Sequence, residues 1–158
     1  MKKLIIFCGA LLISISGYAQ STDDIAIIQG LWGKEKRAIV EQYMDLSTAE
    51  ATPFWNAYET YETSRKELGS ERLGILTEYA DSYFELSNET ASDLIHRGIA
   101  NNISYQKLAK KTFKDMSKVI PPVKAAKFIQ LENYFRIAIL MEIQDEIPFI
   151  GELDELIE

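Results

Sequence analysis

Apolar residues recur along this chain at spacings of three and four, the helical period, and no run alternates as a half-buried strand would. The first predicted helix runs from about Asp23 or Asp24 to Met44, with Ile25, Ile28, Leu31 or Trp32, Ile39 and Tyr43 on its inward face. Asp23 and Asp24 suit its positive N-terminal end. A second helix opens at Leu46 and Ser47, where Ser47 and Glu50 have the spacing of a capping box. Pro53 lies too deep for a first-turn proline if Ser47 is the cap. Either Thr52 recaps the helix after a short 3₁₀ turn, or the helix kinks. Downstream, Phe54, Tyr58, Tyr61, Leu68, Ile75, Tyr79, Tyr83 and Leu86 form one stripe, with Gly69 and Gly74 at its expected bend.

Ser87 is the expected cap of a third helix reaching about Val119, with Leu94, Ile95, Ile99, Ile103, Phe113 and Met116 inward. Pro121 and Pro122 then end it and preset a fourth helix from roughly Pro122 to Ile147, stopped by Pro148. Ile137 to Met141 is apolar on every side, which predicts that this stretch is the most buried of the molecule. Short connections between long helices force antiparallel neighbours. The predicted fold is all-α, four long helices in an antiparallel bundle or an open, bent helical-hairpin arrangement.

The chain's ends change the picture. Lys2 and Lys3 precede an apolar run from Leu4 to Ile15, and Gly17 and Ala19 supply small residues before Gln20, the layout of a cleavable secretory signal. That run is shorter than the roughly 20 residues of a membrane-spanning helix, so no integral membrane segment is expected after cleavage. The expected organisation is a signal peptide over 1–19, one helical domain over 20–150 and an acidic tail over 151–158, in a periplasmic protein. Cys8, the only cysteine, lies inside the signal and leaves with it, removing disulfides and thiolate chemistry.

A net charge of −7 argues against nucleic acid as a partner. The charge is uneven, because Lys107, Lys110, Lys111, Lys114, Lys118, Lys124 and Lys127 share a stretch whose sole acid is Asp115. These lysines read either as a docking surface for acidic clients, a partner or anionic headgroups, or as a solvated face favouring the C-terminal end of helix three. Tyr58 and Tyr61 belong to an aromatic concentration in helix two that packs a core or, where exposed, suits adaptable binding. Arg65 and Arg72 fall on the apolar stripe of that helix, which predicts a strip near a dimer or concave surface and pairing with a neighbouring helix, for instance through Glu132.

Catalytic chemistry finds little footing. Di-iron bundles need Glu-x-x-His on two helices, and this chain has one histidine, His96, with Asp93 three residues before it. No nucleophile motif or glycine-rich phosphate loop is present. No catalytic residue, metal or cofactor is therefore expected, and the rival to a non-enzymatic binding protein is a small-ligand or metal-binding bundle.

Leu46-Ser47-Thr48-Ala49-Glu50 and Leu86-Ser87-Asn88-Glu89-Thr90 resemble the repeated LTxxQ-type motif of the Spy/CpxP-like periplasmic proteins, with serine for threonine in both and Thr90 breaking the second. The chain also resembles uncharacterised envelope relatives of that group in Glu50-Ala51-Thr52-Pro53-Phe54-Trp55, in the segment from Pro121 to Asn133, and in Glu146-Ile147-Pro148. The resemblance implies an ATP-independent chaperone or a stress-linked modulator of a sensor protein. It also implies a curved helical homodimer whose concave face is basic and apolar.

Overall fold

A computed structural model describes residues 35–146, the side chains of 142 and 144–146 excepted. The proposed signal, the start of the first helix, Pro148 and the acidic tail lie outside the described residues. Among those residues the protein is all-α: α1 covers 35–44, α2 Thr48–Ser82, α3 Asn88–Met116 and α4 Pro122–Glu146, with a 3₁₀ turn at Tyr83–Glu85.

Local chemistry sets these boundaries. Glu50, in the first turn of α2, reaches back to accept from the Ser47 N–H and from the Ser47 hydroxyl, each at 2.8 Å. Ser87 accepts from the Thr90 amide at 3.0 Å and starts α3 as expected. Asp45 turns the chain between α1 and α2 with φ 47°, a left-handed conformation that Asp tolerates. Pro122 occupies the first turn of α4, where its missing N–H costs nothing.

Pro53 does not restart α2. The helix is continuous through it and Thr52 is not a second cap; proline withholds one N–H from the preceding turn, and Ala49, four residues earlier, is exposed to water.

The helices pack as antiparallel neighbours. Arg97 to Glu78 and Asn101 to the Leu68 carbonyl join α3 to α2, and Arg136 to Asn102 joins α4 to α3. The main core lies where α1, the start of α2 and the start of α4 meet the end of α3, and Phe128 is its hub. Its ring stands edge-on to Phe54 at 5.5 Å, Tyr58 at 5.9 Å and Tyr61 at 5.4 Å. A smaller cluster of Ile75, Tyr79 and Leu94 sits beside the α2–α3 turn.

Three inward faces differ from the expected ones. α1 buries Lys36, Val40 and Met44, while Ile39 and Tyr43 are exposed. α3 buries Leu94, Gly98, Asn101, Thr112 and Met116 and leaves Ile95, Ile99, Ile103 and Phe113 exposed. Its turn toward α2 is set by Asn101, whose amide donates to the Leu68 carbonyl at 3.0 Å and to Glu71 at 2.8 Å. Among the described side chains of α4 the most buried are Ala125, Phe128, Glu132 and Phe135, and the apolar stretch near its end is exposed at Ile137, Ile139 and Met141.

Candidate functional site

Lys36, Glu62 and Glu132 each lie one helical turn beyond core apolar residues, Val40, Tyr58 and Phe128 respectively, so the packing that buries those side chains also buries the charges. Lys36, 1 % exposed, donates to Glu62 and, at 2.8 Å, to Glu132. The Tyr61 hydroxyl donates to Glu132 at 2.7 Å, and Arg65 grips Glu62 with two N–H donors at 2.8 and 2.9 Å. The ammonium also lies 5.5 Å from the centre of the Tyr61 ring.

The two carboxylates respond differently. Burial works to raise Glu62, but Arg65 and Lys36 overcome it and hold Glu62 below the usual carboxylate range. Burial wins at Glu132, which is pushed up although Lys36 and Tyr61 oppose it. Burial also pushes the Tyr58 and Tyr61 phenols well above their ordinary value.

This network floors a half-open cleft of about 350 Å³ between α2, α3 and α4. The walls beyond it are apolar, with Leu73 and Leu76 on α2 and Ile139, Leu140 and Ile143 on α4. Arg65, Arg72 and Arg136 also line it, and Arg136 donates to Asn102 at 2.7 Å while lying 4.8 Å above the Tyr105 ring. Buried polar atoms of Arg72 (Nε), Asn101 (Oδ1), Glu132 (Oε1) and Arg136 (Nε) have no partner among the described residues.

The sequence-derived candidates separate. Arg65 and Arg72 do share a concave surface, but the expected bond from either to Glu132 is absent: Lys36 occupies that carboxylate and Arg65 turns to Glu62 on its own helix. Tyr58 is a core ring, 3 % exposed, and does not offer a binding face; Tyr61 is also buried but reaches the cleft floor through its hydroxyl.

The lysines do not form one stripe. Lys124 bonds Glu50 at 2.6 Å and the Asp45 carbonyl at 3.0 Å, and Lys127 bonds the Tyr43 carbonyl, so both tie α4 to neighbouring elements. Lys111 and Lys118 pair with Asp115, while Lys107, Lys110 and Lys114 are exposed. His96 is exposed and its neighbour Asp93 pairs with Arg97. Among the described residues no three or more His, Cys, Asp or Glu side chains gather as a metal site would require, and no helix is long and apolar enough to cross a membrane.

Lys36, Glu62, Asn101 and Arg136 escaped the sequence reading. Their signal was a single charge or amide in register with an apolar stripe. No protein-family model matches the chain, and no curated protein or solved structure is detectably similar to it.

Proposed function

We propose that this is a non-enzymatic, ATP-independent binding protein of the periplasm that holds apolar segments of unfolded clients, or of one regulatory partner, on α3 and α4. One observation carries the reading: Ile95, Ile99 and Ile103 form a row at four-residue spacing and are 58, 52 and 48 % exposed. Ile137 and Met141 add a second exposed pair on α4. A row of this kind costs solubility and contributes little to the fold, so a surface-binding role accounts for its presence. The Spy/CpxP-like resemblance supports the same reading, because it implies a face both basic and apolar. The exposed Lys107, Lys110 and Lys114 on the same helix would favour acidic clients.

Aggregation of reduced α-lactalbumin, followed by light scattering, tests the proposal. The mature protein should suppress scattering, and Ile95→Ser/Ile99→Ser/Ile103→Ser should abolish the effect while leaving the helical circular dichroism unchanged. Full suppression by the triple variant would contradict it. Lys107→Gln/Lys110→Gln/Lys114→Gln should weaken capture less, and raised salt should reproduce that loss because exposed charges are screened beyond about 8 Å.

A further inference from the structure

Among the described residues the cleft holds an excess of positive charge. Lys36, Arg65, Arg72 and Arg136 line it against one carboxylate of its own, Glu132, with Glu62 adding a second charge to the network beneath. Glu62 and Glu132 compensate Lys36 and Arg65. Arg72 and Arg136 remain, in a protein whose net charge is −7.

Neither arginine faces a carboxylate within bonding distance among the described residues. Arg136 meets the neutral Asn102 and the Tyr105 ring there, and Arg72 has no polar partner, with its Nε buried. Both arginines are half-buried, and burying a guanidinium N–H without a partner is unfavourable, so the pair is complementary to a negative group entering from outside. Beyond the arginines the walls are hydrocarbon: Leu73, Leu76, Phe135, Ile139, Leu140 and Ile143. A volume of about 350 Å³ lies within the range of small-molecule sites, roughly 300 to 1,000 Å³.

We propose that this cleft binds a single-chain anionic amphiphile, its head against Arg72 and Arg136 and its hydrocarbon chain between α2 and α4. The site is distinct from the exposed isoleucine row of α3, and the proposal does not depend on client capture there. The head can be a fatty carboxylate or a monoacyl phosphate, since both offer oxygens that a guanidinium grips with paired donors.

Titration calorimetry with the mature chain tests it, using laurate, lauryl phosphate, dodecanol and dodecylamine below their micellar concentrations. The two anions should bind at one site, at least about tenfold tighter than the alcohol and the amine, the difference that one charged hydrogen bond supplies. The tighter anion identifies the source of the head.

Arg72→Gln should remove most of that preference. If the variant does not fold, the four-ligand comparison on the unaltered chain still decides. Methyl NMR should place the shifts at Leu73, Leu76, Ile139 and Leu140. Equal affinity for all four compounds, shifts confined to Ile95, Ile99 and Ile103, absence of binding, or binding only to intact phosphatidylglycerol vesicles would each overturn the proposal.

Discussion

The two ends of this helical assembly are built on different principles. Around Phe128, four rings interlock edge to face, Val40, Met44 and Met116 are sealed beneath them, and Lys124 fastens the start of α4 to the cap of α2. Toward the α2–α3 turn the buried cluster shrinks to Ile75, Tyr79 and Leu94, the cleft opens, and α4 exposes Ile137 and Met141. Apolar composition does not explain the contrast, because Ile137 to Met141 is as apolar as any stretch of α4. What differs is whether neighbouring helices present interlocking surfaces at that level. One end is a frame closed around Phe128, and the other holds an open, apolar-walled cleft.

Truncating the frame should have the largest effect. Phe128→Ala removes the hub ring and should cost about 3–5 kcal/mol, whereas Met141→Ala, exposed on α4, should cost under about 1 kcal/mol. Urea unfolding of both decides, and similar losses would erase the distinction between the ends.

Next comes the boundary between them. Lys36→Met leaves Glu132 buried without its cation and should cost about 3 kcal/mol. Lys36→Met/Glu132→Gln should recover part of that loss, since no buried charge then lacks a partner. A double variant no more stable than the single one would show that the network does not act as a unit.

The network itself shows how far the sequence could be read. Helix type, the capped starts at Ser47 and Ser87, the stop after Met44 and the stripe from Phe54 to Tyr79 followed from periodicity and cap chemistry, which act within a few residues. Facing directions on α1 and α3 did not. Ile95, Ile99 and Ile103 look more inward than Gly98 and Asn101, but the packing of Leu94 and Met116 and the hydrogen bonds of Asn101 to α2 turn the other face inward. Lys36 was hidden likewise, because its partners are 26 and 96 residues away. Arg65 and Arg72 were legible as a concave strip because charges on an apolar stripe need an outlet.

Acid should act on the cap of α2 and on Glu62 in one direction and on Glu132 in the other. Lys124, with the Ser47 cap, holds Glu50 down from 4.5 to about 2, so its stabilising contribution is present above about pH 4.5 and is lost as pH falls toward 2. Lys124→Met should flatten that acid limb in urea midpoints taken across the range. Glu132, raised by burial, has the opposite sign: its contribution is full below the ordinary glutamate value and is lost as pH rises through the raised one. Glu132→Gln should remove that decline and leave the acid limb intact.

The smallest effect concerns α2 itself. A Cβ added at Gly74 meets nothing within 4 Å, so Gly74→Ala should stabilise by about 0.5–1 kcal/mol through helix propensity. A loss in thermal melts would place an unseen contact at that position.

The division into a frame and a binding end is tested most directly by amide hydrogen exchange with and without reduced α-lactalbumin. Exchange should be slowest around Phe54 to Glu62 and Ala125 to Glu132, with client-induced slowing confined to Ile95–Ile103 and Ile137–Met141. Uniform protection along all helices, or slowing by the client centred on Phe128, would contradict it.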